Sequence, residues 1–236
     1  MSRARHTLRM LLLLILAASG LSGQTNPTVD VNMRLSFPKL ATRRAVPSAV
    51  FWLKPLQETP PAPFVPERRY TLQQKNRMFK PHLLIIPVGG VVQFPNADPF
   101  FHNVFSLFDG KRFDLGLYEA GSTKSVTFSR EGISYIFCNI HPEMSAVILT
   151  LSTALYDVAD PKGAFHLSYV RSGDYELHIW IEGVGQADLN KMVRRVHVAP
   201  GSADLGSVQI PAALLGTPAH TNMYGQAYDH DVKPTY

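Results

Sequence analysis

One turn and one distant histidine decide most of what this chain can fold into. In Phe137-Cys138-Asn139-Ile140-His141-Pro142-Glu143-Met144 the single cysteine of the 236 residues stands three positions before a histidine, and that histidine three before a methionine. A second histidine stands upstream in Phe100-Phe101-His102-Asn103-Val104. The runs flanking the turn, 132–137 and 145–151, read as β-strands. A single tight loop therefore presents Cys138, His141 and Met144 together, and His102 must reach them from a separate segment.

Those residue types suit copper. Sulfur stabilises Cu(I), imidazole nitrogen accepts Cu(II), and a trigonal His2Cys plane with a long axial methionine lies between the two preferences. Little has to move when an electron arrives. Taken singly, a cysteine after an aromatic strand is a buried small hydrophobe, and a His-Pro turn is a common surface feature. Their joint occurrence is what reads as a site. Glu143 could hold a harder metal, but the thiolate would then be poorly used.

The Cys-x2-His-x2-Met spacing, the run Val88-Gly89-Gly90-Val91-Val92-Gln93-Phe94-Pro95-Asn96 and the triplet His102-Asn103-Val104 together resemble the cupredoxins, with the short ligand loop of amicyanin. The resemblance covers about residues 75–151. It implies a Greek-key β-sandwich in which His102, Cys138, His141 and Met144 hold one mononuclear type 1 copper, with Asn103 tying the two ligand segments together by hydrogen bonds. The chain is also similar to exported proteins described as methylamine utilization proteins, which pair such a domain with a small β-sandwich.

Residues 1–23 carry Arg3, Arg5 and Arg9 ahead of the apolar run 10–18 and then small residues, the pattern of a cleaved secretory signal peptide. An uncleaved anchor is the alternative, and the expected location is the periplasm, with no membrane span once the signal is removed. Of the formal net charge of +5, three units belong to those arginines, which leaves +2 for the remainder. No basic stripe with interleaved aromatics stands out there, so no nucleic-acid partner is expected. One cysteine cannot form an internal disulfide, so in an oxidising compartment its presence is better explained by a metal.

Short alternating runs, with 18 prolines and 16 glycines, point to an all-β chain. Residues 24–69 hold two strand candidates, 28–37 and 48–53, and a linker over 55–66 with five prolines. Which sheet those strands join is open. The cupredoxin-like part spans 70–151, with 109–120 as a loop region between the ligand segments. His82 reads as a hydrogen-bonded structural histidine. Over 152–211, the Asp160-x2-Gly163-x-Phe165 and Gly173-Asp174-Tyr175-x-Leu177 patterns resemble the carboxypeptidase-regulatory-like sandwich, a second small Ig/transthyretin-like fold. His166 and His178 are expected to face solvent on its strands. Residues 212–236, with His220, Met223 and His230, read as a flexible tail.

Multicopper sites use His-x-His pairs and binuclear ones use two bridging cysteines; the chain has neither. A single site filled by protein ligands leaves no open position for substrate, so the expected role is a non-enzymatic carrier of single electrons. Its redox protein partners would dock weakly and transiently at a rim of Pro99, Phe100, Phe101 and Pro142 around His141. Copper storage, delivery or sensing without electron transfer, or a structural or carbohydrate-associated module with an idle copper loop, are the competing readings.

Overall fold

Strand alternation places almost every element. The structure is a computed structural model that describes residues 27–37, 46–57, 64, 69–107, 110–216, 222–224 and 226. The expected signal peptide, most of the proline-rich linker, and His220 and His230 lie outside the described residues. In chain order the strands begin with β1 (Thr28–Ser36) and β2 (Ala49–Pro55). The short β3 (Tyr70–Thr71), β4 (Gln73–Gln74) and β5 (Phe79–Lys80) follow. Next come β6 (Leu83–Pro87), β7 (Gly90–Pro95), β8 (His102–Ser106), β9 (Phe113–Tyr118), β10 (Thr123–Phe128), β11 (Gly132–Phe137) and β12 (Ser145–Leu151). The chain continues through β13 (Tyr156–Val158), β14 (Ala164–Arg171), β15 (Gly173–Ile181), helix α1 (Gln186–Met192), β16 (Arg194–Val198) and β17 (Asp204–Gln209).

The strands that carry the candidate ligands form a five-stranded sheet, β6-β12-β11-β8-β9, facing a three-stranded one, β10-β7-β3. Their inward residues, among them Phe94, Val104, Phe128, Ile136 and Ile148, make one core. Phe113 of β9 packs against Phe94 of β7 and Phe128 of β10, with ring centroids 5.8 and 6.1 Å apart.

The two strands ahead of the proline-rich stretch join the C-terminal ones. β1 lies between β14 and β17, and β2 between β13 and β15 in a sheet closed by β16. Val31, Met33 and Leu35 of β1 point inward at period two, and Phe51 meets Phe165 edge-on at 4.9 Å. The strands that carry the candidate ligands are thus inserted in sequence between β2 and β13 of one sandwich.

One strand serves both cores. Along β12, Ala146 and Ile148 point into the ligand-side core, whereas Val147, Leu149 and Leu151 point into that of the sandwich. All five are at most 4% exposed, which is why 145–151 reads as a nearly unbroken apolar run. Polar links brace the junction: Lys54 Nζ to Glu131 Oε2 at 2.8 Å, Trp180 Nε1 to Tyr135 Oη at 3.3 Å, and His82 Nε2 to Glu182 Oε1 at 2.7 Å.

Two elements depart from the sequence expectation. The supposed loop 109–120 contains β9, paired antiparallel with β8. Two steps on β8, from Asn103 to Phe105, match three on β9, from Leu117 to Asp114, so β9 carries one extra residue. Gly116, at φ 63°, takes the left-handed conformation such a bulge requires. Helix α1 was not anticipated, and its N-cap, Gly185, makes no side-chain capping bond.

Candidate metal centre

His102 opens β8, and β8 pairs with β11 through Phe105 and Phe137. This pairing carries His102 to the end of β11 where Cys138 begins the turn. The turn is closed by its own backbone: Met144 N–H donates to His141 O at 3.0 Å, and Cys138 N–H to Met144 O at 3.3 Å. Phe137 and Ser145 are partners across the base of the loop. Cys138 and Met144 are therefore held side by side, both 0% exposed.

The donor atoms converge. Cys138 Sγ lies 3.8 Å from His102 Nδ1 and 3.5 Å from His141 Nδ1, and all three ligating atoms fall within 4.8 Å of one another. A metal bonded at about 2.3 Å to sulfur and about 2.0 Å to nitrogen, at an angle of about 120°, sets those two atoms about 3.7 Å apart. The observed separations bracket that value. No other group of three or more His, Cys, Asp or Glu side chains close enough to share an ion occurs among the described residues.

The surroundings set the protonation states. Burial, with the neighbouring His102, pushes the His141 imidazole down to about 4, and burial lowers His102 as well. Both rings are then neutral at neutral pH and keep a lone pair for a metal. Burial pushes the Cys138 thiol up, opposed by backbone N–H groups of Asn103, Ile140 and His141 aimed at the sulfur. Those donors would favour a thiolate once a cation replaces the proton.

Asn103 links the two candidate-ligand segments through its backbone rather than its side chain. Its backbone N–H faces the sulfur, but its side-chain Nδ2 donates to Asp114 Oδ1 at 2.7 Å, bracing β8 against β9. Its Oδ1 is buried without a hydrogen-bond partner. The ring nitrogen of His102 that faces away from sulfur, Nε2, meets Asp98 Oδ2 at 2.8 Å. Nothing in the motif singled out Asp98. A carboxylate four residues ahead of a candidate ligand histidine was the available signal.

Around the centre, the Phe100 ring lies 5.2 Å from that of His102 and 5.7 Å from that of His141. Arg77 stacks its guanidinium 5.5 Å from the Phe100 centroid. Phe100 and Pro142 are half-buried, Pro99 and Glu143 are exposed, and Phe101 and Leu117 are 53% and 60% exposed. His141 is 3% exposed and His102 0%.

Among the described residues, the other histidines stand apart from the centre. His82 is hydrogen-bonded, as expected, to Ser145 O and Glu182. His166 is exposed, but His178 is half-buried, stacked on Trp52 at 5.2 Å and bonded to Glu176, because the two rings are cross-strand partners on β15 and β2. In the tail, Asn222 N–H donates to Gln226 O at 2.8 Å and Met223 N–H to Asn139 Oδ1 at 2.9 Å, so Met223 is held against the turn that carries Cys138 and His141.

No family model matches the chain, and none of the curated proteins matches it. Among solved structures, a novel purple cupredoxin from Nitrosopumilus maritimus aligns at 23% identity over 35% of this chain and 99% of that one, with a TM-score of 0.32. A reduced, Cu(I) form of an amicyanin mutant aligns at 19% identity over 37% of this chain and 86% of that one, at 0.34. A Cu-containing nitrite reductase from Thermus scotoductus aligns at 23% identity over 50% of this chain but only 28% of that one, also at 0.34. These likenesses are partial, and the case for a metal rests on the converging side chains themselves.

Proposed function

We propose that the chain is a mononuclear type 1 copper protein that carries single electrons between redox partners in the periplasm, after removal of residues 1–23. The observation that carries this reading is the buried convergence of Cys138 Sγ with the Nδ1 atoms of His102 and His141 at metal-bonding separations. Met144, buried in the same turn, is the axial donor in this proposal. Sulfur and imidazole are a softer set than magnesium or calcium would use, and the added thioether favours copper over zinc.

Copper, when bound, supplies one-electron chemistry between Cu(II) and Cu(I). The chain's own part is to keep the ligands in one arrangement for both states. Cys138 is fixed by the strand end and by the N–H groups facing its sulfur; His141 and Met144 are fixed by the bond between their backbones. Four protein donors leave no open position, which favours a carrier over a catalyst.

Electrons pass to a partner through the ring of His141, next to which Phe100, 5.7 Å away, and Pro142 form an apolar rim that the exposed Phe101 extends along the chain. Phe101, half exposed, is the surface a partner covers. The test is a reversible redox titration of the copper-loaded chain together with exchange kinetics against candidate partner proteins. Phe101→Glu should slow exchange at least tenfold with an unaltered visible spectrum. Copper that binds, never cycles, and passes to an apo-acceptor would replace the carrier by a delivery protein.

A further inference from the structure

One buried charge at the centre has no part in holding the ion. Asp98 is 5% exposed and lies against His102, which is 0% exposed, with 2.8 Å between Oδ2 and Nε2. A buried carboxylate is costly unless it is paired and hydrogen-bonded. Here Oδ1 accepts the backbone N–H of Asn76 at 2.6 Å and Oδ2 that of Arg77 at 3.0 Å. The loop is braced from the other side: Asp98 N–H donates to Asn96 Oδ1 at 3.1 Å, and Asn96 Nδ2 to Phe100 O at 2.8 Å.

We infer that Asp98 is a positioning and tuning residue: through Nε2–H of His102 its carboxylate strengthens that imidazole as a donor and lowers the reduction potential of the centre. The inference rests on the copper reading above. Because a carboxylate has no proton of its own to give, Nε2 is the ring atom that donates, which leaves the lone pair on Nδ1, the atom facing Cys138. A partner of this kind orients the ring and raises its basicity. It also places a negative charge one imidazole away from the ion, which favours the more positive oxidation state. An asparagine could keep the bond to His102 with its one oxygen, but its amide nitrogen would then face the Asn76 N–H, so the substitution removes the charge and that backbone bond together.

The expected consequence is differential. Asp98→Asn should weaken Cu(II) binding about 10- to 100-fold, in line with other residues that hold ligand histidines, and Cu(I) binding less. Each tenfold change in the ratio of the two affinities raises the potential by about 59 mV for one electron. Glu143→Gln is the control, since Glu143 is an exposed carboxylate beside Met144 whose charge reaches Cys138 and His141 through solvent-screened space. It should move the potential much less.

The experiment is spectroelectrochemical titration of copper-loaded wild type, Asp98→Asn and Glu143→Gln, with the visible band recorded throughout. A raised potential in Asp98→Asn alone supports the inference. Equal shifts in the two variants, or none in Asp98→Asn, overturn it while leaving the copper reading intact; a wild type that never takes up copper overturns both. Should Asp98→Asn fail to fold, the wild-type Cu(I) protein still decides the matter by NMR. A His102 Nε2 proton shifted far downfield and slow to exchange is expected, and its absence refutes the inference.

Discussion

Truncating β12 on either face should weaken the same unfolding transition. Ile148 and Leu149 are adjacent, both 0% exposed, and point into different cores. Alanine at either site deletes three carbons. At about 0.8 kcal/mol per buried methylene, plus a term for the incompletely collapsed cavity, the cost is about 3 kcal/mol. For a chain of this size that lowers the melting midpoint by about 6–12 °C. The assay separates the halves without a label, because both tryptophans, Trp52 and Trp180, lie in the sandwich core. Their fluorescence reports the sandwich and, through the Trp180–Tyr135 bond, its junction with β11, but no tryptophan lies in the ligand-side core. Ile148→Ala, on the ligand side, should therefore shift the tryptophan transition as far as Leu149→Ala does, since one strand anchors both cores. A tryptophan transition that stays in place in Ile148→Ala would show that the halves unfold independently and refute the reasoning.

The His82–Glu182 pair should make stability pH-dependent across the junction. Two acceptors, Ser145 O and the Glu182 carboxylate, face the two ring nitrogens, so the doubly protonated ring satisfies both. The Glu182 bond raises His82 above its ordinary 6.5, and the His82 bond lowers Glu182 below its ordinary 4.5. The stabilisation is complete between those values. It fades as pH rises through the raised His82 value or falls through the lowered Glu182 value. Both side chains are partly exposed, so the amount is under about 1 kcal/mol; chemical denaturation from pH 5 to 9 should lose that slope in Glu182→Gln, and an unchanged slope would contradict the pairing. Asn139→Ala removes the acceptor for Met223 N–H, worth about 1 kcal/mol. Proteolysis beyond residue 216 should quicken while the copper spectrum is kept, and equal cleavage rates would show that the tail turn does not dock.

That Cys138, His141 and Met144 share one turn was legible because the pattern is local: three residue types at fixed spacing between two apolar runs. His102 was legible from its setting, since an Asn-Val pair after an aromatic pair opens a buried strand. What the chain withheld depends on partners far away in sequence. Residues 28–36 alternate well enough to be a strand, but nothing local says that β1 lies between β14 and β17. β9 hid behind Asp114 and Gly116, residues poor in strand propensity that here make the bulge and receive the Asn103 bond. His178 read as solvent-facing by alternation, yet Trp52 on the neighbouring strand covers it. Asp98 looked like loop, and only the folded chain brings it under His102.

The most direct measurement is the visible and paramagnetic spectrum of the purified chain loaded with Cu(II), beside Cys138→Ser treated identically. An intense visible thiolate-to-copper band and a Cu(II) paramagnetic signal that both change with the thiol and are lost in Cys138→Ser are the predicted result. A colourless protein, or one whose copper signal persists without the thiol, would contradict the account.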